Sequence, residues 1–86
     1  MPEISRFLGI VIYMYFNEHN PPHFHAEYND YKASINIATL GLMEGKLPAR
    51  VMSLVVEWAQ EHQDDLLDNW NSIKESGSYH KIDPLV

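Results

Sequence analysis

Between His23 and Asn36 the chain reads His23-Phe24-His25-Ala26-Glu27-Tyr28-Asn29-Asp30-Tyr31-Lys32-Ala33-Ser34-Ile35-Asn36. One pairing register makes sense of all of it. If Asn29-Asp30 is a two-residue turn, Tyr28 faces Tyr31, Glu27 faces Lys32, and Ala26 faces Ala33. His25 then faces Ser34, Phe24 faces Ile35, and His23 faces Asn36. Asn and Asp tolerate the left-handed backbone that tight hairpins require. Strand side chains alternate between faces, so in this register His23, His25, Glu27, Lys32, Ser34 and Asn36 fall together on a polar face. The apolar residues fall on the other, and a slip of one residue would destroy the segregation. The register predicts Phe24, Ala26, Ile35 and Ile37 in the core and places the histidines outside it.

Upstream, Glu18-His19-Asn20-Pro21-Pro22 leads into the hairpin. Pro22 biases Pro21 towards extended backbone, and neither proline can donate a hydrogen bond. Residues 17–22 therefore read as a stiff turn. Residues 8–16, Leu-Gly-Ile-Val-Ile-Tyr-Met-Tyr-Phe, are β-branched and aromatic, and predict one interior strand apolar on both faces. Tyr13 and Tyr15 within it read as packing residues.

Downstream, residues 39–41 read as a turn and Leu42 to Lys46 as a short further strand. Pro48 suits the first position of a helix. Val51, Leu54, Val55, Trp58 and His62 then form one stripe at helical spacing, resumed at Leu66, Trp70 and Ile73. Trp58 and Trp70 read as core anchors, and Gly77 as the helix stop. One helix over residues 48–75 would be about 42 Å long, against about 30 Å for a nine-residue strand. The expectation is a kink near Glu61–Asp65, or a helix end that meets a partner. Residues Tyr79 to Val86 return extended, with Pro84 excluding helix. The predicted fold is α+β: an antiparallel meander of three or four strands, then a long or kinked C-terminal helix packed on one face. Residues 1–86 read as a single domain.

Composition narrows the function. The net charge of −6 argues against direct nucleic-acid binding by the chain alone, since such affinity rests on Lys and Arg neutralising phosphates. The absence of cysteine excludes disulfides and thiolate metal sites and fits a reducing compartment. The run from Phe7 to Phe16 is far short of the ~20 apolar residues of a membrane span. It also lacks the flanks of a signal peptide. The expected location is the cytoplasm.

Three of the five histidines, His19, His23 and His25, fall within seven positions. On a strand, His23 and His25 lie on one face, and His19 could fold back across the proline corner. Together with Glu18, and Glu27 at the edge, they form a candidate site for a divalent transition metal such as Zn, Ni or Fe. Protons would compete for the same nitrogens, so binding would weaken as pH falls. The same three histidines could instead serve as acid and base without a metal, because histidine titrates near neutrality. A third use is recognition: a rigid corner carrying histidines and aromatics can dock a protein. Glu18 and the histidines could also do no more than hydrogen-bond the turn and set its shape. No phosphate clamp accompanies them, because Arg6, Lys32, Lys46 and Arg50 are scattered.

Met14-Tyr15 followed by Glu18-His19-Asn20-Pro21-Pro22-His23-Phe24-His25-Ala26 resembles a bacterial and archaeal family of small domains of unknown function. That family carries an E-H-x-P-P-H-F-H signature. Gly45-Lys46-Leu47-Pro48, Glu57-Trp58 and Leu66-Leu67-Asp68-Asn69-Trp70 also match it. The resemblance implies a gene encoded beside a second small domain of unknown function, an arrangement similar to toxin–antitoxin pairs. The leading expectation is thus an interaction component of a two-gene module, with a small partner protein encoded nearby or a homodimer. The rival is a small histidine-based or metal-dependent nuclease or hydrolase.

Overall fold

The computed structural model describes residues 2–86. Strands β1 (Glu3–Phe7), β2 (Ile10–Tyr13), β3 (His23–Tyr28), β4 (Tyr31–Asn36) and β5 (Leu42–Gly45) precede helices α1 (Ala49–Gln60) and α2 (Gln63–Ser76). The strands form one antiparallel sheet in chain order, β1-β2-β3-β4-β5. The β3–β4 hairpin has the register read from the sequence, from His23 opposite Asn36 to Tyr28 opposite Tyr31, and Asn29 takes a φ of 53° in its turn. Phe24, Ala26, Ile35 and Ile37 are buried with Val51, Val55 and Trp58, as that register requires.

The expected strand over residues 8–16 is corrected. The sheet has five strands rather than three or four, because the apolar run is interrupted by a turn. Leu8 and Gly9 both hold positive φ, 50° and 79°, and Phe7 pairs with Ile10 across them. Leucine is a poor residue for left-handed backbone, so the turn carried little local signal. The cost of the conformation is offset by packing: Ile4, Phe7, Ile10 and Ile12 on the two arms are all buried. β2 then ends at Tyr13, and residues 14–22 form a loop that folds back over the histidine-bearing face.

β5 matches the expected fourth strand and ends one residue earlier. Gly45 is required there. Its φ is 77°, and a Cβ would collide with the backbone carbonyl oxygen of Lys32. α1 begins one residue later than expected. Pro48 stands just outside it, and its carbonyl accepts the Met52 N–H at 2.9 Å.

The kink expected near Glu61–Asp65 is a break into two helices at Glu61-His62. The longest dimension of the domain is 34 Å, less than the about 42 Å of one unbroken helix. The amide of Gln63 donates to the carbonyls of Ile37 and Ala38, at 2.9 and 3.2 Å, and so ties the start of α2 to the end of β4. Asp64 and Asp65 sit in the first turn of α2, where the helix dipole favours negative charge. Gly77, at φ 75°, closes the helix as expected.

Trp58 and Trp70 are core residues, as their place on the stripe predicts. The Trp58 ring lies 5.6 Å from Phe7 and 6.0 Å from Phe24, and its indole N–H donates to the Asp83 carbonyl at 2.8 Å. His62 packs 5.4 Å from Trp58 at the helix break. The tail crosses the outer edge of β1, where the Ile82 N–H donates to the Ile4 carbonyl at 2.8 Å. Asn69, fully buried in α2, holds the tail by its side chain. Its amide donates to the His80 carbonyl at 2.9 Å and accepts the His80 N–H at 3.0 Å.

Candidate functional site

β3 supplies two imidazoles from one face, and the loop before it supplies a carboxylate. Glu18 Oε1 lies 2.5 Å from His25 Nε2, and Glu18 Oε2 lies 3.5 Å from His23 Nε2. The candidate ligand atoms of Glu18, His23 and His25 all lie within 4.8 Å of one another. Among the described residues this is the group of three His or acidic side chains close enough to share one ion.

Each imidazole is held at its other nitrogen. His23 Nδ1 is 2.8 Å from the Pro21 carbonyl oxygen. A carbonyl can only accept, so Nδ1 carries the proton and donates. His25 Nδ1 lies 3.2 Å from Ser34 Oγ, its cross-strand neighbour in the hairpin. The ring of His25 stacks on Tyr13 at 5.2 Å and meets Tyr15 edge-on at 4.7 Å. The loop that carries Glu18 includes a cis Asn20–Pro21 peptide bond. Lys74, from α2, donates to the Glu18 carbonyl oxygen at 2.5 Å and lies over the Trp70 ring at 4.9 Å.

The expectation that the histidines stay out of the core needs correction for His23. It does lie on the face opposite Phe24, but it is 7% exposed. Trp70 approaches to 5.1 Å between ring centroids, and the loop bearing Glu18 covers the remainder. The polar face of the hairpin is thus roofed at its His23 end and open towards Glu27 and Lys32.

Not all of the sequence candidates meet. His19 is exposed, and the structure leaves it outside the group; it lines a shallow depression with Phe16, Asn17, Glu18 and Lys74. Glu27 lies further along β3 and faces Lys32 at 4.0 Å. Ser34 was legible as the neighbour of His25 from the register alone, though not as a hydrogen-bond partner. Pro21's carbonyl, Trp70 and Lys74 were not legible as site residues, because Lys74 reaches Glu18 across 56 positions of sequence.

Tyr13, beside His25, is 2% exposed. Burial pushes its phenol well above the usual tyrosine range, and Tyr15, Glu27 and Glu18 add to the effect. It stays neutral and packs. The arrangement as a whole offers two imidazole nitrogens and a carboxylate in a partly buried recess. That set can hold a divalent cation or pass a proton between carboxylate and imidazole.

Fold and site together define a small α+β domain with a histidine–glutamate cluster seated between a β-hairpin and a C-terminal helix. The chain belongs to the family described as "Domain of unknown function (DUF4160)", whose model matches residues 9–71, well over half of its length. The matched segment contains Glu18, His23 and His25. No curated protein and no solved structure matches the chain. No helix among the described residues is long and apolar enough to cross a membrane.

Proposed function

We propose that this protein is the interaction component of a two-gene, toxin–antitoxin-like module in the cytoplasm. Its partner, a small protein encoded nearby, adds a strand to the free edge of β5. The observation that carries this reading is the inequality of the two sheet edges. The β1 edge is crossed by the tail through the Ile82–Ile4 hydrogen bond. Among the described residues, β5 has a neighbour only in β4, and all four of its residues are exposed. Leu42 and Met43 on it are 51% and 39% exposed. An open strand edge is a template for pairing, and proteins that do not use such an edge usually cover it.

Co-expression with the product of the adjacent gene, followed by affinity capture and light scattering, tests the reading. The expected result is a complex that Leu42→Asp and Met43→Asp weaken while the chain keeps its melting temperature. A second copy of the chain in place of the neighbour would replace the heteromer with a homodimer. A strict monomer that ignores the neighbouring product removes the proposal.

The grouping of Glu18, His23 and His25 favours a second reading, a small histidine-based or metal-dependent nuclease or hydrolase. Phosphate recognition would be its weak part, because Arg6 is engaged by Glu3, Lys32 faces Glu27, and Lys74 is spent on the Glu18 carbonyl. Cleavage of RNA or an ester by the purified chain, abolished by His23→Ala, would support it.

A further inference from the structure

We infer that Glu18, His23 and His25 form a mononuclear site for a divalent transition metal of the zinc class, held by His23 Nε2, His25 Nε2 and the Glu18 carboxylate. The inference is independent of the β5 reading and starts from a mismatch of lone pairs. Because His23 Nδ1 gives its proton to the Pro21 carbonyl, a neutral His23 has a bare Nε2. That bare nitrogen faces Glu18 Oε2 at 3.5 Å. Both atoms are acceptors, and the His23 side chain is 9% exposed. Two lone pairs pointed at each other with little water between them repel, unless a cation sits between them. The cation is either a second proton on His23 or a metal ion.

Three features favour the metal. First, both rings turn the same nitrogen inward and hold the outer one in place, His23 by Pro21 and His25 by Ser34. An outer Nδ1–H bonded to a carbonyl, as in His23, fixes the tautomer and raises the basicity of Nε2, the usual second layer of a histidine metal site; the Ser34 hydroxyl can donate or accept, and so it permits the same tautomer in His25. Secondly, the separations suit one ion. Four ligands at about 2.0–2.1 Å in tetrahedral array lie about 3.3 Å apart. The His23 contact, 3.5 Å, is close to that value, whereas the His25 contact, 2.5 Å, is a direct hydrogen bond that must open by about 0.8 Å to admit the ion. Thirdly, Glu18 presents a separate oxygen to each imidazole, so it is placed for both at once rather than for a single ion pair.

The donor set also selects the metal. Two imidazole nitrogens with one carboxylate suit Zn, Ni or Fe(II), whereas Mg and Ca prefer all-oxygen sites. Three protein ligands leave a coordination position open. Glu18, at 23% side-chain exposure, is the most exposed of the three, so that position opens on the Glu18 side.

The test uses the untagged full chain, freed of metal by chelator dialysis and titrated calorimetrically with zinc chloride and then nickel chloride. The expected result is one equivalent bound at micromolar affinity or tighter. His23→Ala, His25→Ala and Glu18→Gln should each weaken binding by about tenfold or more, since even the outer layer of such sites commonly carries that much. His19→Ala and His80→Ala should leave affinity unchanged. Thermal melts identify any variant that fails to fold, and Glu18→Gln preserves side-chain shape. Nitrogen-15 NMR of the imidazoles supplies a second readout on the wild-type chain. Zinc should shift the Nε2 signals of His23 and His25 and leave both Nδ1 atoms protonated. Absence of binding at micromolar metal, binding lost equally in His19→Ala, or coordination through Nδ1 would overturn the inference.

Discussion

Phe24 is the residue on which the hairpin register and the core both depend, and its truncation gives a measurable test of the fold. It is 0% exposed, lies opposite Ile35 in the β3–β4 pairing, and meets the Trp58 ring edge-on at 6.0 Å. Phe24→Ala removes the buried ring and leaves a cavity under α1. Loss of transfer energy plus cavity formation places the cost at about 3–5 kcal/mol. A chain of this length commonly holds about 4–13 kcal/mol in total, so the variant should be marginal. Phe16 supplies the control, because it is the same residue at 46% exposure. Phe16→Ala should cost about 0.5 kcal/mol, as surface substitutions usually do. Urea denaturation followed by tryptophan fluorescence measures both. With a slope of about 1–1.5 kcal/mol/M, the Phe24→Ala midpoint should fall by about 2 M or more, at unchanged slope. A loss of less than about 1 kcal/mol for Phe24→Ala, or equal losses for the two variants, would refute the register and the packing built on it.

Two further outcomes are expected. Asn69→Ala should cost about 1–3 kcal/mol, because it removes both hydrogen bonds that hold the His80 backbone. Amide exchange at His80 and Ile82 should rise before exchange in the sheet does. Tyr13 sets an alkaline limit. Its folded pKa lies above the unfolded value of 10.0, so above that pH the unfolded chain loses a proton that the folded chain keeps. Its contribution is complete below pH 10 and is lost as pH rises beyond. Tyr13→Phe should therefore flatten the decline of the melting temperature above pH 10 and leave its neutral-pH slope alone.

The Asn29-Asp30 turn, the alternation on either side of it, and the stripe through Val51, Val55, Trp58, Leu66, Trp70 and Ile73 were legible because each is local. A period of two or of 3.6 is written into neighbouring residues. The Leu8-Gly9 turn was not legible, because the residues around it are all apolar and the turn is imposed by burial of the two strands it joins. The division of the helix at Glu61-His62 was legible only as a conflict of lengths. Its position was decided by the bond from Gln63 to the end of β4, a contact between residues about 25 apart.

The candidate site divides in the same way. Sequence alone determined that His23 and His25 share a strand face, and it brought Ser34 opposite His25, because strand alternation and hairpin register leave no freedom once the turn is placed. It placed both His19 and Glu18 beside those histidines, because these neighbours in the chain are equally able to approach β3 from a loop. The tertiary structure brings in Glu18 and leaves His19 out. Lys74 takes the Glu18 carbonyl, Trp70 covers His23, and the loop then turns the Glu18 carboxylate inward and leaves His19 in solvent. Those contacts join residues about 50 positions apart. They exist only after the sheet and α2 have packed, because no local periodicity encodes which side of a loop will meet a helix from the far end of the chain.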